Sequence, residues 1–492
     1  MATSLKDSLV AAVQALQQWY GADSYASSTG LYHWDDPNLA SENGVGSAGA
    51  AVIAAAGYTD AVQDTLLWWN DANAITTLID YMLVTGNRAW LPMVELTFDQ
   101  GPQAYTMNIE QLVEIAAAAT ALGGGWEGGL VGGGIASATV AREHYTGFIN
   151  PGGWYDDAGW WALAWLKAYD LTNDLKYLTM AVSIFVYMVG GWDDACGGGI
   201  YEQTTHTNSF DQPDLPLGTT SGPYKCAIAN ELFLAVAAGL YLRLKKTQST
   251  TSISLPPPLA LGDILNWANN EWQWFLAKGF INGKNLINDS LTTAISPSGS
   301  PSPTGACLND GTQPVTSYIQ GVILGALCDM FEITNDRGYL DWATRIANAF
   351  IQNPVSISSG NPFESGIDGN GILTEYTDMM TEAERPQWLK NTLSAESMKI
   401  CFVQFKGIFV RNLGYLYMKT RNAKYRAFLQ KNAHSAINNK NDLNQFGSRW
   451  DAPVDVADFV RQTNGVALLT ATLAAQGVSP DLSYLDPLLL SN

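Results

Sequence analysis

The sequence is short of histidine and of basic side chains, and each shortage argues against a class of function. Its four histidines are far apart and lack the spacing of zinc ligands, so we predict neither a metal site nor a cofactor: His33, His144, His206 and His434. Lysine and arginine number 26 against 46 aspartates and glutamates, and the net charge of −20 repels phosphate backbones and anionic lipid surfaces. Nucleic acid and membrane surfaces are therefore not expected partners.

Long hydrophobic runs and strand patterns are also scarce. No segment approaches 18 uninterrupted apolar residues, so no transmembrane segment is predicted. The glycine-rich stretch LGGGWEGGLVGGG lacks the Lys-Ser/Thr of a phosphate-binding loop. Five cysteines allow several disulfide pairings, and their spacing does not choose between them.

What the sequence does contain is a repeated helix-ending turn that begins with threonine and ends with asparagine or aspartate. The turn occurs as Thr85-Gly86-Asn87, Thr172-Asn173-Asp174, Thr334-Asn335-Asp336 and Thr420-Arg421-Asn422. The gaps of 87, 162 and 86 residues fit a repeat in which the middle gap holds two units. Each turn follows an apolar segment and precedes an amphipathic one, which indicates repeated helical hairpins.

Two kinds of helical segment alternate along the chain. Six are apolar on nearly all sides and begin near Leu66, Asp156, Tyr224, Val315, Met398 and Gln462. Six carry one polar face, over roughly 5–20, 88–98, 174–189, 262–277, 337–352 and 422–437. A helix that is apolar all round must be surrounded by protein, whereas a one-sided helix lies outside. We therefore predict an all-α fold, an (α/α)6 toroid of six helical hairpins, with residues 1–492 forming a single domain.

The predicted connections are unequal in length. Those that follow inner helices are short, apart from the insertion TQSTTSISLPPPLALG. Those that precede inner helices are long and cover 21–64, 99–155, 190–223, 278–314, 353–397 and 439–461. Long connections carry binding and catalytic residues more often than short ones. Because all the long connections lie on the face where the inner helices begin, we predict the functional site there.

An aspartate pair stands at the start of the second predicted inner helix, in the segment WYDDAGWWALAW. Asp156 and Asp157 would lie on the floor of the predicted cleft. Two neighbouring carboxyls push each other's titration apart, which leaves one ionised as a nucleophile and one protonated as an acid. An aspartate at a helix start is also a common N-cap, although a cap needs only one.

Two further aspartate pairs stand beside tryptophan. Asp35 and Asp36 precede a proline, which favours a turn. Asp193 and Asp194 lie among glycines in GGWDDACGGGIYEQ, where substrate binding or loop bracing is a better interpretation than catalysis.

Aromatic residues surround the first pair and would suit a sugar, whose C–H faces stack on indole rings. The candidates are Trp154, Tyr155, Trp160 and Trp161, although Trp161 and Trp165 are spaced like core residues of a helix. Polar residues near other inner-helix starts either bond each other or bind a ligand, because a buried polar group without a partner costs about 1–3 kcal/mol. They are Asn70, Asp71, Asn73, Asn230, Glu231, Tyr318, Gln320, Lys406 and Arg411.

Seven segments, taken together and in order, resemble glycoside hydrolase family 76. They are WWNDANA, WYDDAGWWALAW, GWDDACGGGIYE, YKCAIANELFL, INDSL, SYIQGVILGAL and FKGIFVRNLGYL, and they span about residues 45–475. The family comprises endo-α-1,6-mannanases and related fungal cell-wall mannoprotein transglycosidases. The resemblance implies an (α/α)6 toroid that acts on α-1,6-linked mannose with retention.

The resemblance also assigns residues. It implies that Asp156 is the nucleophile and Asp157 the general acid/base. By the same matches, the mannose subsites would include Asn70, Asp71, Asn230, Asp289 and Gln320. From their positions we add Trp154, Tyr155, Asp193 and Lys406 as substrate-binding candidates. Asn288 begins a glycosylation sequon beside Asp289, and we expect it to be unmodified because a glycan there would crowd the cleft.

The resulting prediction is a secreted, extracellular or wall-associated, monomeric retaining endo-α-1,6-mannanase that acts on α-mannan or mannose-containing oligosaccharides. One alternative is a cell-wall transglycosidase acting on mannose-containing GPI glycans, but the end SYLDPLLLSN shows no hydrophobic anchor tail, which favours the hydrolase. Another alternative is a non-catalytic mannan-binding protein. A sugar epimerase would need a base such as histidine, and no histidine stands at a predicted inner-helix start.

Overall fold

The computed structural model describes a helical protein over most of its length. It describes residues 4–20, 32, 68–99, 148, 153–203, 225–248, 260–291, 307, 309, 314–355, 365–375 and 403–477. In chain order the helices are α1 (Leu5–Leu16), α2 (Trp68–Thr85), α3 (91–99), α4 (Tyr155–Thr172), α5 (Leu175–Val189), α6 (Ala227–Gln248), α7 (Leu261–Ala277), α8 (Ser317–Thr334), α9 (Arg337–Phe350), α10 (Phe405–Thr420), α11 (Ala423–Asn439) and α12 (Phe459–Ala475).

The even-numbered helices form a closed inner ring. Each packs against the next along the chain, and α12 packs against α2, which closes the circle. Outer helices lie against this ring: α5, α9 and α11 each pack against two inner helices, α7 packs against α6, and α1 covers α12. Most residues of α6 and α12 are buried, as helices enclosed by protein require. The predicted all-α (α/α)6 toroid is confirmed, and the single domain over 1–492 stays a prediction.

Five of the predicted inner-helix starts lie within three residues of the described ones, and the sixth concerns α10. The described helix begins at Phe405, and Met398 lies outside the described residues. Val403 and Phe405 are both buried. The start of the described helix is therefore apolar, as the sequence pattern indicated.

The repeated threonine turn has one geometry at all four sites. The threonine hydroxyl donates to the carbonyl oxygen four residues earlier and accepts the N–H of the Asn or Asp two residues later. That Asn or Asp accepts the N–H two residues further on, and at Asp174, Asp336 and Asn422 it is the N-cap of the next helix. The middle residue is left-handed, with φ between 53° and 72°: Gly86, Asn173, Asn335 and Arg421. One turn thus ends an inner helix and starts the outer one that follows.

A short antiparallel hairpin, β1 (Ser365–Ile367) with β2 (Leu373–Glu375), is tied to the start of α8. The Glu375 carboxylate accepts hydrogen bonds from the hydroxyls of Ser317 and Ser365. These contacts fix a loop at the face of the ring where the inner helices begin, called the N-terminal face below.

One described segment, Ala227–Thr247 of α6, is long and apolar enough to cross a membrane, although the sequence analysis predicts none. Its position is that of a core helix, since 83% of its most apolar stretch is buried inside the protein.

Polar side chains of all six inner helices line a cavity of about 140 Å³ on the ring axis. A polar cavity of this volume is large enough for several water molecules. Hydrogen-bonded pairs join neighbouring inner helices around it: Lys167 with Asp80, Arg243 with Asp170, and Tyr415 with Asp329.

Two glutamates are fully buried on neighbouring helices, and no charged side chain of the described structure makes an ion pair with either of them. Glu231 on α6 and Glu271 on α7 are each 0% exposed. Burial raises the pKa of both carboxyls well above the ordinary value, an effect increased at Glu231 by the charge of Asp289 and reduced at Glu271 by that of Lys225. Neutral carboxyls at these positions avoid the larger penalty of buried charge.

We predict that Asn335→Ala destabilises the protein by about 1 kcal/mol, because alanine is strained in the left-handed conformation. Asn335 is exposed, so the change removes little else. Chemical denaturation should show a lower midpoint for Asn335→Ala and a nearly normal one for the matched Asn335→Gly. Equal midpoints for the two variants would contradict this explanation of the turn.

We predict that Glu231→Gln raises the melting temperature at pH 7.5 by about 2 °C or more, with little effect near pH 4.5. Above the ordinary pKa of 4.5 the unfolded chain loses the Glu231 proton while the folded protein keeps it, so rising pH favours unfolding. Glutamine has the same shape and no proton to lose. Calorimetry at both pH values is the measurement, with the exposed Glu95→Gln as the control; a difference that does not grow with pH would refute the prediction.

Candidate active site

Asp156 and Asp157 lie in the first turn of α4, at the N-terminal face. The N-cap of this helix is Trp154, whose side chain makes no capping bond, so neither aspartate is the N-cap. The preceding backbone is fixed because the Tyr155 N–H donates to the Glu202 carbonyl oxygen at 2.8 Å. Asp156 is partly exposed, whereas Asp157 is 7% exposed.

Burial raises the pKa of Asp156 to about 6, although hydrogen bonds from backbone N–H groups oppose the shift. One of these donors is the Asp157 N–H, which lies 2.9 Å from Asp156 Oδ1. Neighbouring carboxyls titrate together, so this value belongs to the pair. The pair therefore retains a proton at mildly acidic pH.

Two more carboxyls and a phenol surround the pair. Glu202 and Asp289 are partly exposed, and their charges, with that of Asp156, act on Tyr318 and on the buried thiol of Cys226. Burial, reinforced by these charges, raises the pKa of Tyr318 well above its ordinary value, so its hydroxyl stays protonated. Asp289 was predicted for this site from the sequence, whereas Glu202 was missed. The sequence signal that could have identified Glu202 is its position shortly after Asp193 and Asp194, in a loop of the same face.

Four aromatic rings from four inner helices form a row at the N-terminal face. Tyr318 of α8 stacks on Phe405 of α10, with ring centroids 3.8 Å apart and planes 8° apart. The Phe405 ring lies 5.9 Å from that of Trp69 of α2, which lies 6.2 Å from that of Trp160 of α4. Trp160 was a predicted candidate for sugar stacking, and the other members of the row were not.

The amides of Asn230 and Gln320 hold loop backbone. Asn230 Oδ1 accepts the Ile200 N–H at 2.8 Å, and its Nδ2 donates to the Ile200 carbonyl. Gln320 makes the same pair of bonds with Ile287, at 2.9 and 2.8 Å. Both side chains are 0% exposed. These contacts favour a bracing role for both amides over the predicted sugar contact, because a fully buried amide with backbone partners presents little surface to a ligand.

Asn70 and Asp71 are also used internally. Asn70 is 0% exposed and its Nδ2 donates to Gln404 Oε1 at 2.7 Å, which joins α2 to the start of α10. Asp71 is 3% exposed and its Oδ1 accepts the Tyr32 N–H at 2.8 Å. These contacts favour a structural role over the predicted sugar contact.

Asp193 braces its own loop. Its carboxylate accepts bonds from Lys225 Nζ at 2.7 Å and the Tyr201 hydroxyl at 2.6 Å. Burial raises the pKa of Asp193, but these bonds outweigh burial and leave it below the ordinary value. Lys225 is 0% exposed and also donates to the carbonyl oxygens of Ala195, Gly198 and Gly199. Of the two interpretations of this pair, loop bracing is the one that the contacts favour.

The same loop is tied by a disulfide between Cys196 and Cys307, a pairing that the sequence could not choose. Cys226 and Cys328 are free and buried, and Cys401 lies outside the described residues. Gly199 lets the loop approach α7 closely, because a Cβ there would lie 2.4 Å from the Trp274 ring. The disulfide therefore joins two segments of the N-terminal face.

Several other candidates are core or bracing residues. Lys406 is 0% exposed, donates to the Ser448 carbonyl oxygen and lies over the Trp450 ring, so its predicted sugar contact is not supported. The Tyr155 ring packs on Tyr187 at 4.9 Å between centroids. Trp161 and Trp165 stack in the core, as their spacing indicated.

Trp154 is partly exposed and pairs with Gln203, so it remains a candidate. Asn288 is 2% exposed and its Oδ1 accepts from Asn282, which leaves no room for a glycan on it. The Asp35-Asp36 pair lies outside the described residues. Within the described part of the chain, no group of three or more His, Cys, Asp or Glu side chains is placed to hold a metal ion.

Solved structures with this fold include carbohydrate-active enzymes. An inactive variant of the α-1,6-mannanase GH76A of Salegentibacter sp. HEL1_6, in complex with α-1,6-mannotetrose, matches at TM-score 0.59 and 17% identity over 96% of this chain and 100% of its own. The family 76 mannosidase Bt3792 of Bacteroides thetaiotaomicron matches at 0.58 and 16%, over 96% and 99%. Dfg5 of Chaetomium thermophilum, in complex with glucosamine, matches at 0.56 and 15%, over 96% and 90%. At these identities the likeness shows the shared fold.

A comparison with curated protein sequences found no match. The family model for glycosyl hydrolase family 76 matches residues 142–483, which is more than half of the chain and includes the aspartate pair of α4. The toroid and this match lead to one conclusion: the chain belongs to glycosyl hydrolase family 76.

Proposed function

We propose that the protein is a retaining endo-α-1,6-mannanase that hydrolyses α-1,6-linked mannan. The observation that carries the proposal is the position of Asp156 and Asp157, two adjacent carboxyls in the first turn of an inner helix, neither of which is the N-cap. The Salegentibacter enzyme supports it, because the inactive variant that was solved with α-1,6-mannotetrose has two consecutive aspartates replaced by alanine.

In the proposed reaction Asp156 attacks the anomeric carbon while Asp157 protonates the leaving glycosidic oxygen. The first step leaves a glycosyl ester on Asp156 and releases the shortened chain with a new hydroxyl. In the second step Asp157 takes a proton from water, whose oxygen attacks the anomeric carbon and frees the Asp156 carboxylate. Two inversions give net retention, so proton NMR should detect the α-anomer as the first product.

The proton shared by the pair suits these roles. The Asp157 N–H bond to Asp156 Oδ1 favours negative charge on Asp156, and the proposed reaction accordingly assigns the proton of the pair to Asp157. A nucleophile and an acid then coexist in one pair, in a site that burial has partly removed from water.

Export from the cell is the second part of the proposal. The Cys196–Cys307 disulfide supports it, because disulfides persist mainly in oxidising compartments. A monomeric state remains a prediction.

We predict that Asp156→Asn lowers kcat on unbranched α-1,6-mannan by roughly a thousand-fold or more, with a nearly unchanged melting temperature. The amide has the shape of the carboxyl but cannot form the glycosyl ester. Reducing-end release measures the loss. The matched control is Asp194→Asn, an exposed member of another aspartate pair, which should keep normal activity. Full activity of Asp156→Asn, or no reducing ends from the unmodified enzyme, would end the proposal.

We predict that kcat/KM falls about tenfold per pH unit above a pKa near 6, because the pair then loses the proton that the leaving oxygen needs. A pH profile from 4 to 9 on mannan gives the measurement. With substrates whose leaving group needs no protonation, kcat/KM should not fall in this way at alkaline pH. A rate that stays constant to pH 8 would show that the pair does not supply the proton.

Transfer to a sugar acceptor is a second candidate reaction. The Dfg5 structure with glucosamine is about as similar to this chain as the bacterial mannanases are, and this favours testing a transglycosidase that moves mannose-bearing glycans. The glycosyl ester is the same in both reactions, and only the acceptor differs. Product analysis with and without an added glycan acceptor separates the two.

A further inference from the structure

The row of four rings, Tyr318, Phe405, Trp69 and Trp160, closes the N-terminal end of the ring axis. Helices α10 and α2 are not neighbours in the ring, because α12 stands between them. Phe405 and Trp69 nevertheless meet, so they contact each other across the opening of the ring. The row therefore lies between the N-terminal face and the axial cavity.

The members of the row differ in exposure. Trp160 is 2% and Phe405 5% exposed, whereas Trp69 and Tyr318 both keep part of their surface accessible. The two buried rings thus act as supports, and the two others are available at the N-terminal face.

Arg411 supports the row from the cavity side. Its guanidinium lies 5.9 Å from the centroid of the Trp160 ring, and its Nη2 donates to Asn73 Oδ1 at 2.6 Å. Asn73 Nδ2 in turn donates to the Trp69 carbonyl oxygen at 2.9 Å. Burial lowers the pKa of Arg411 to about 10, which leaves it protonated at neutral pH. The Arg411 guanidinium thus contacts both the Trp160 ring of α4 and the first turn of α2, and fixes one relative to the other.

Both ends of the row lie near the carboxyl pair. Trp160 lies one helical turn after Asp156 on α4. At the other end, Tyr318 lies in the electrostatic field of both Asp156 and Asp289. An aromatic surface beside two acids matches a neutral pyranose, whose C–H face needs apolar area and whose hydroxyls need hydrogen-bond acceptors.

We infer that Trp69 and Tyr318 form the stacking platform for the mannosyl unit bound next to Asp156 and Asp157, with Phe405, Trp160 and Arg411 fixing its geometry. This inference rests on the proposed function, from which it takes the sugar. It assigns the specificity for a neutral hexose ring to residues of α2 and α8 rather than to the buried amides of the inner helices.

The test measures binding without turnover. Calorimetric titration of the Asp156→Asn protein with α-1,6-mannotetraose gives the reference Kd. Adding Trp69→Ala should weaken binding about tenfold, and adding Trp69→Phe should restore most of it, because the ring is kept. Tyr318→Ala should weaken binding in the same way. The control is Trp342→Ala, a partly exposed tryptophan on the outer helix α9, which should leave Kd unchanged.

A positioning role for Arg411 predicts a separate result. Arg411→Lys keeps the charge but not the planar contact, and should weaken mannotetraose binding several-fold and change the tryptophan fluorescence response to the sugar. The matched Arg243→Lys, in the same cavity but bonded to Asp170, should leave both unchanged.

The outcomes separate the two proposals. Folded Trp69→Ala and Tyr318→Ala proteins that bind mannotetraose as tightly as the Asp156→Asn reference would overturn the platform while leaving the proposed function intact. A reference protein that binds no mannotetraose, together with an unmodified enzyme that releases no reducing ends, would overturn the proposed function and the platform with it.

Discussion

Irregular loops that pack against helix ends must find partners for their backbone N–H and C=O groups, and this protein supplies them with buried side-chain amides. Asn230, Gln320 and Gln462, all near starts of inner helices, bond the backbone of loop residues at the N-terminal face. The geometry of the candidate site depends on these bonds, because the segment that Asn230 holds leads directly to Glu202, whose carbonyl anchors the start of α4.

The need to bond loop backbone also explains why many polar residues near the N-terminal face are buried rather than exposed to solvent. Lys225 and Asp193 hold a glycine-rich loop, and Glu375 ties a hairpin to α8. Among the described residues of the N-terminal face, the partly exposed groups include the carboxyls of Asp156, Glu202 and Asp289, and the rings of Trp69, Trp154 and Tyr318. The side chains available for the proposed chemistry and recognition are thereby held on a rigid scaffold.

The sequence predicted the ring because helix periodicity and the threonine turn are local signals. It also placed Asp156 at an inner-helix start correctly. It could not separate binding residues from bracing ones, since Asn230 and Gln320 are polar residues near a helix start whether they hold a sugar or a loop. The aromatic row was missed for a related reason: Trp69 and Phe405 are more than 300 residues apart, and only ring closure brings them together.

Because the six inner helices begin at one face, their N-terminal dipoles all point there. Each helix end carries roughly half a positive elementary charge, so together they offset several carboxylates. In an acidic chain with a net charge of −20, these helix ends favour the ionised forms of the acids that lie at the mouth of the ring. The backbone thus contributes positive potential at the site, and substitution of surface lysines or arginines would leave this contribution in place.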